Sequence, residues 1–263
     1  MSIEPVPFEP RRFRTAAAHY PAGRPGYAPR LIRRVVEFCK LGTADRVLDL
    51  GCGPGQLANA FAPFAGAVVG IDPEPEMLRL AALDVPANVR FLEGSSYGLG
   101  PHLGMFQLVT MGRSFHWMDR GDTLQRLEGM IEPGGAVALF GDKHPELPEN
   151  AWRQAFQDLV GRYAADDLNR HQRHEPGRAS HIAVLLDSAF CELEEISVIE
   201  RRELPAAALI ERALSMSSTS QARIGDRVDA LVAEIEALTA QLAPAGRLVE
   251  VVASTALIAR RGG

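Results

Sequence analysis

The densest chemistry in this 263-residue chain lies between Asp49 and Asp72. A β-prone run, Arg46-Val47-Leu48-Asp49-Leu50, ends in a glycine cluster, Gly51-Cys52-Gly53-Pro54-Gly55. An apolar helix face follows through Leu57, Ala60, Phe61 and Phe64. A strand, a glycine turn and a helix bring backbone N–H groups to a helix N-terminus with little side-chain bulk in the way, which suits a nucleotide or an anionic tail. Asp72 ends the next β-prone run, where a carboxylate can accept hydrogen bonds from both hydroxyls of a ribose.

Spacing narrows the ligand. The dinucleotide fingerprint GxGxxG requires glycine at position 56, which is Gln56; the pattern here is GxGxG, on Gly51, Gly53 and Gly55. Asp49 precedes it, and a carboxylate pointing into the loop would repel a pyrophosphate yet could engage a cationic amino group. Adenosine, ribose and an amino-acid tail together satisfy both acids, and S-adenosylmethionine has all three.

The elements that must position these residues alternate along the chain. Strand character is expected at 46–50, 67–71, 89–92, 106–111 and 136–140, with helices at 29–40, 74–83 and 123–131 between or before them. Continuous apolar strands alternating with amphipathic helices predict a parallel sheet covered on both faces, and right-handed crossovers leave a doubly wound α/β sheet. The rhythm breaks after Gly141, and strand character returns only at 196–199 and 248–259. The expected fold is therefore a doubly wound, seven-stranded, mostly parallel sheet with helical cap insertions. Its parts are an N-terminal arm (1–29), an α/β core (30–141), a lid insertion (142–180), a core return (181–203), a second helical insertion (204–245) and a C-terminal core strand (246–263).

Composition limits the rest. A net charge of −5, from 28 basic and 33 acidic residues, gives no bulk footprint for nucleic acid. Cys39, Cys52 and Cys191 form no CxxC pair, which argues against a disulfide scaffold and fits a reducing cytoplasm. No signal peptide and no apolar run of bilayer length is evident, so a soluble cytoplasmic protein with no membrane partner is expected. Oligomeric state stays open.

The segment Val47 to Leu57 resembles motif I of the class I S-adenosylmethionine-dependent methyltransferases. Val68-Val-Gly-Ile-Asp72-Pro73, with Met77 and Leu78 behind it, resembles their ribose segment. Phe91-Leu-Glu-Gly-Ser95-Ser96 is similar to the adenine segment, Phe106–Met111 running on to Ser114-Phe-His116-Trp117 to motif IV, and Ile131-Glu-Pro-Gly-Gly135 to the turn and strand after it. The resemblance covers roughly 18–141. His116-Trp117, together with Tyr20 and Arg24-Pro-Gly-Tyr27, looks more narrowly like small-molecule enzymes related to trans-aconitate methyltransferases. Ser95 is a departure, since many relatives carry Asp there, and a neutral hydroxyl binds the adenine amino group less strongly.

The resemblance implies a Rossmann-like fold, S-adenosylmethionine as methyl donor and S-adenosylhomocysteine as product. Gly51, Cys52 and Gly53 would pass under the methionine portion, and Asp49 would face its amino group. Asp72 and Pro73 would hold the ribose, Met77 the adenine face, and Ser95 and Ser96 the adenine edge. Arg24, supported by Tyr20, would pair with the carboxylate, and Met111 and Gly112 would present main-chain groups. His116 and Trp117 would line the boundary with the substrate. Apart from the resemblance, His116 beside Trp117 at a loop entrance is a candidate general base, and Arg223, just beyond the serine-rich turn, a candidate clamp for a substrate carboxylate.

Plainer readings stand beside these. Asp72 is also a helix N-cap ahead of Pro73-Glu74, Arg24 an anchor for the arm, His116 a packed wall residue and Arg223 a surface arginine. His171, His174 and His181 lack the carboxylate or cysteine that would complete a metal site, so none is expected. Ser215–Ser220 reads as a flexible substrate lid rather than a phosphate nest. The expected activity is methyl transfer to a small-molecule acceptor, a carboxylate or a hydroxyl, by in-line displacement. Other readings are a non-catalytic S-adenosylmethionine sensor, a macromolecular methyltransferase and, third, an NAD-dependent dehydrogenase.

Overall fold

Residues 9, 11–173, 175 and 177–262 are described by the structure, a computed structural model. After turns through Ala16, the chain forms α1 (Tyr20–Gly23), α2 (Pro29–Phe38), β1 (Arg46–Leu50), α3 (Gln56–Phe61) and β2 (Ala67–Asp72). Then come α4 (Pro75–Ala81), β3 (Val89–Glu93), β4 (Phe106–Gly112), α5 (Arg120–Glu128) and β5 (Ile131–Lys143). The helices α6 (Trp152–Tyr163), α7 (Leu168–Arg173) and α8 (His181–Leu186) precede β6 (Glu192–Pro205). The chain closes with α9 (Ala208–Leu214), α10 (Gln221–Ile224), α11 (Val228–Leu242) and β7 (Arg247–Arg260).

One seven-stranded sheet results, in the order β3-β2-β1-β4-β5-β7-β6. β1 to β5 pair in parallel, and β7 runs antiparallel to both β5 and β6. The mostly parallel, doubly wound sheet expected from the alternation is the sheet observed. Its strands are apolar on both sides because both faces are covered. Leu48 and Leu50 of β1 pack with Leu124, Leu127 and Leu185 of α5 and α8, while Val47 packs with Leu31, Val35, Leu57 and Phe61 of α2 and α3. No helix among the described residues is long and apolar enough to cross a membrane.

The last two strands are longer than the periodicity predicts. β6 and β7 pair without a break from Glu192↔Arg260 to Pro205↔Arg247. Glu200-Arg201-Arg202-Glu203 carries no apolar signal, because this half of β6 is the sheet edge and exposes alternate side chains. The ribbon supports a third core in which Trp152, Phe156 and Val160 of α6 meet Leu209, Leu231 and Ile235 of α9 and α11. The segments 142–180 and 204–245 thus share one apolar cap core.

A single carboxylate ties this cap to the sheet. Glu250 of β7 is 0% exposed and is approached by His144 (3.2 Å), Arg153 (2.9 Å), Arg202 (3.0 Å) and Arg212 (2.7 Å). Burial alone would raise its pKa, but hydrogen bonds from His144 and Arg212 and the arginine charges hold it well below the usual carboxylate range. A depressed carboxyl stabilises the fold above its unfolded pKa, near 4.5, and that contribution is lost as pH falls below it. Glu250→Gln, which leaves three partly buried arginines without their shared counter-charge, is expected to cost about 3–5 kcal/mol. Urea denaturation at neutral pH checks this, as a lower midpoint; an unchanged midpoint would contradict the role given to Glu250.

Candidate active site

Beyond the carboxyl ends of β1, β2, β3 and β4 lies a cavity of about 800 Å³. Sheets of this winding open such a crevice where strand order reverses, here between β1 and β4. The chain turns sharply after Leu50: the N–H groups of Gly51 and Cys52 both donate to the Ile71 carbonyl, at 2.8 and 3.0 Å. Gly51 has φ +69°, and a Cβ there would come within 2.5 Å of Ser114 Cβ. Gly53, at φ +54°, is different, since a Cβ there would meet nothing within 4 Å. Its backbone borders the open cavity.

Asp72 closes this turn from the neighbouring strand. Its two carboxylate oxygens accept from the Gly53 N–H (2.8 Å) and the Glu74 N–H (2.9 Å). Burial pushes its pKa up to about 6, against those two hydrogen bonds. Asp72 therefore stands on the cavity wall and bonds the turn that leads into α4, but it is not the N-cap of that helix. Glu74 is the N-cap of α4, accepting from the Glu76 N–H, and it receives Arg11 of the arm at 3.3 Å. Its Oε2 is buried without a hydrogen-bond partner.

Twelve of the residues singled out from the sequence line this one cavity: Tyr20, Arg24, Gly51, Gly53, Asp72, Pro73, Met77, Ser95, Ser96, Gly112, His116 and Trp117. Arg24 donates from Nε to Ser215 Oγ at 3.0 Å and makes no ion pair among the described residues, and burial lowers its pKa. Trp117 stands edge-on to Phe13 (5.4 Å between centroids), with the Arg12 guanidinium 4.9 Å from its ring. His116 tilts against Trp117 at 5.1 Å and stacks on His181 at 6.5 Å.

Asp49, Cys52, Met111 and Arg223 are placed elsewhere. Asp49 lies behind the turn, accepting from Thr110 Oγ1 (2.9 Å) and the Ala58 N–H (3.1 Å), and burial pushes it up to about 7. Cys52 is buried, which raises its thiol pKa. Met111 is in the apolar core. Arg223 reaches out to Glu9, with Nη2 2.6 and 2.7 Å from the two carboxylate oxygens.

The serine-rich turn differs from the flexible lid that its composition predicts. Ser215, Ser217, Ser218, Thr219 and Ser220 are all buried, and the first three line the cavity. Their hydroxyls find partners indoors: Ser215 donates to the Arg212 carbonyl (2.8 Å) and Thr219 to the Ala213 carbonyl (2.6 Å). Satisfied hydroxyls can be buried at little cost, so small polar residues build an inner wall here. His171 is exposed on α7, His181 opens α8, and His174 lies outside the described residues. Among the described residues no group of three His, Cys, Asp or Glu side chains could hold a metal ion.

Other wall residues escaped the sequence reading. Arg12, whose guanidinium pairs with buried Asp167 and donates to Ser217 Oγ at 3.1 Å, gives no signal of its own in the sequence. Arg113 donates to Asp142 (2.5 Å) and lies over the Tyr27 ring. Gln154 and Gln157 come from the cap. Glu74, two residues beyond Asp72, and Arg113, next to Gly112, could have been found from their positions.

In sequence and in fold the chain is similar to known methyltransferases. Residues 47–135 match the family described as "Methyltransferase domain". The uncharacterized methyltransferase Rv3342 of Mycobacterium tuberculosis is 28% identical over 150 residues, covering 57% of this chain and 59% of its own. The "Probable S-adenosylmethionine-dependent methyltransferase CRG1" of Saccharomyces cerevisiae is 27% identical over 170 residues, covering 60% of this chain and 57% of its own. The chain thus spans about three fifths of the length of these curated relatives. Among solved structures, an S-adenosylmethionine-dependent methyltransferase from Geobacter sulfurreducens in complex with S-adenosyl-L-homocysteine aligns with TM-score 0.53 at 16% identity, over 97% of this chain and 99% of its own. The YcgJ protein from Bacillus subtilis aligns with TM-score 0.53 at 16% identity, over 89% of this chain and all of its own. At such identities the structures speak for the fold, and the sequence match speaks for the segment that builds the cavity floor. Over residues 47–135 this chain is thus similar to methyltransferase domains, and that segment carries the glycine turn and Asp72 of the cavity.

Proposed function

We propose that this protein transfers the methyl group of S-adenosylmethionine to a small-molecule acceptor. The observation that carries the reading is one cavity that joins the glycine turn and Asp72 to the His116–Trp117 wall under a cap. The residues present fit the cofactor. Open space over Gly53 admits a ligand against bare backbone, and Asp72 offers carboxylate oxygens at the end of β2. The unpartnered Glu74 Oε2 is a further acceptor beside them, and Arg24 is a cation with no carboxylate of its own.

In this reading Asp72 accepts from the ribose hydroxyls, Ser95 and Ser96 face the adenine edge, and Met77 packs on its face. Arg24, steadied by Ser215, takes the amino-acid carboxylate. Asp49, held off the cavity by Thr110 and Ala58, acts on the amino group as a charge behind the turn rather than as a contact. When bound, the cofactor supplies an electrophilic sulfonium methyl group. The chain's contribution is then alignment and exclusion of water, which can lower the barrier by up to ~7–11 kcal/mol. His116 and Trp117 bound the acceptor side. A carboxylate acceptor requires no proton removal, whereas for a hydroxyl acceptor His116 is the imidazole on that wall to which the proton would pass. The arm residues Arg12 and Phe13 and the cap residues Gln154 and Phe156 share the same walls, so the acceptor that fits is small.

S-adenosylhomocysteine is expected to bind in calorimetry while NAD does not; absence of binding would overturn the reading. Asp72→Ala is expected to weaken that binding by about 1–3 kcal/mol, roughly 5- to 150-fold. Binding also carries a pH signature. Ribose hydroxyls favour the charged carboxylate, so below its pKa of about 6 the ligand must displace a proton. Affinity is expected to fall by up to about tenfold per pH unit below that point, and to lose this slope in Asp72→Ala. With radiolabelled S-adenosylmethionine and a cell extract, label is expected in the small-molecule fraction; label confined to protein or nucleic acid would replace this acceptor class with a macromolecule.

A further inference from the structure

A second cavity, of about 580 Å³, shares His116 with the first. Its remaining walls are Arg120, Glu175, Arg178, Ala179, Ser180 and His181. Arg120 is the unusual member. It is 2% exposed, yet its guanidinium makes no ion pair among the described residues. Nη1 donates to the Ala179 carbonyl at 2.7 Å and lies 3.5 Å from His181 Nδ1, while Nε and Nη2 have no hydrogen-bond partner.

No neighbouring group pairs with it directly. The Asp119 charge acts on Arg120 through space and partly offsets the effect of burial, but Asp119 spends a carboxylate oxygen on capping α5 through the Asp122 N–H and makes no ion pair with the guanidinium. Glu175 is exposed and makes no ion pair with Arg120. Arg178 stands on the same wall, and burial together with its like charge lowers the Arg120 pKa. Burial and both arginines push His181 down to about 4, so its imidazole is neutral at pH 7 and adds no charge. A buried cation with two unsatisfied N–H groups is a costly arrangement that an anion would relieve. The guanidinium fork matches a planar or tetrahedral oxyanion with two parallel hydrogen bonds.

We propose that this second cavity is an oxyanion-binding site, anchored by Arg120, for the carboxylate or phosphate group of a small molecule held beside the cofactor cavity. The site stands on the placement of Arg120 alone and does not depend on methyl transfer. Because His116 belongs to both walls, a molecule anchored here borders the first cavity.

The test titrates the whole protein, without cofactor, with succinate, inorganic phosphate and the neutral diamide succinamide. Calorimetry is expected to show binding of at least one anion and none of succinamide, the tighter anion naming the chemistry. Arg120→Gln should weaken that anion about tenfold or more, and Arg120→Lys, which keeps the charge without the fork, should weaken it less. Should either variant fail to fold, the wild-type protein still decides: the bound anion must raise the His181 pKa followed by NMR, by screening the two arginines. Equal response to succinate and succinamide, an unmoved His181 titration, or undiminished anion binding in folded Arg120→Gln would each overturn the proposal. Failure of S-adenosylhomocysteine to bind would sink the proposed function and leave this site untouched, because the anion titration requires no cofactor.

Discussion

The hydrogen bonds of one buried carboxylate hold the crevice together at the point where the sheet changes its winding. From β1 the strand order runs outward one way through β2 and β3 and the other way through β4 and β5. Asp49 sits on β1 opposite Thr110 of β4 and bonds to its hydroxyl, while its second oxygen takes the Ala58 N–H inside α3. It thereby joins both strands that flank the switch point to the helix that follows the glycine turn. Burial of the charge is unfavourable, which is why its pKa rises to about 7.

On that floor the cap is fastened by a chain of polar contacts. Glu250 receives Arg212, the Arg212 carbonyl accepts from Ser215 Oγ, and Ser215 Oγ accepts from Arg24 Nε. The path runs from the middle of the C-terminal ribbon to a cation on the cavity wall. Each link is a short, directional bond in a largely buried setting, so the position of Arg24 depends on the packing of α9 against β7. The cap therefore does more than cover the cavity, because it sets the place of a residue that belongs to the N-terminal arm.

The arm completes the enclosure. Arg11 reaches Glu74 at the mouth of the Asp72 turn, and Arg12 crosses to Asp167 and Ser217 while covering Trp117. Residues far apart in the chain thus meet around one cavity: arm, strand ends and cap each contribute a side. In the proposed function this division gives the cofactor the strand ends, where the backbone is bare, and the acceptor the side bounded by His116, Trp117 and the cap. Arg120 and His181 extend that side into the second cavity.

The stretch from Arg46 to Asp72 was readable because its information is local. Alternating strand and helix periods, glycines in a tight turn and an acid at a strand end each constrain the backbone within a few residues, and they name the fold and the floor of the site. Side-chain direction beyond that stretch was decided by partners distant in sequence. Asp49 points at Thr110 rather than into the cavity because the β1–β4 register sets the two opposite each other. Arg223 faces Glu9 because α10 packs beside the arm. The serine turn is buried because its hydroxyls find carbonyls within the cap. The length of β6 was hidden because an edge strand exposes half its side chains, so its pairing with β7 leaves little apolar trace. The burial of Arg120 depends on α5 meeting the segment that leads into α8, a contact between residues some 60 positions apart. Local sequence determined the glycine-turn side of the cavity, where bare backbone forms the wall; tertiary packing decided the opposite side, where side chains from separate elements must converge.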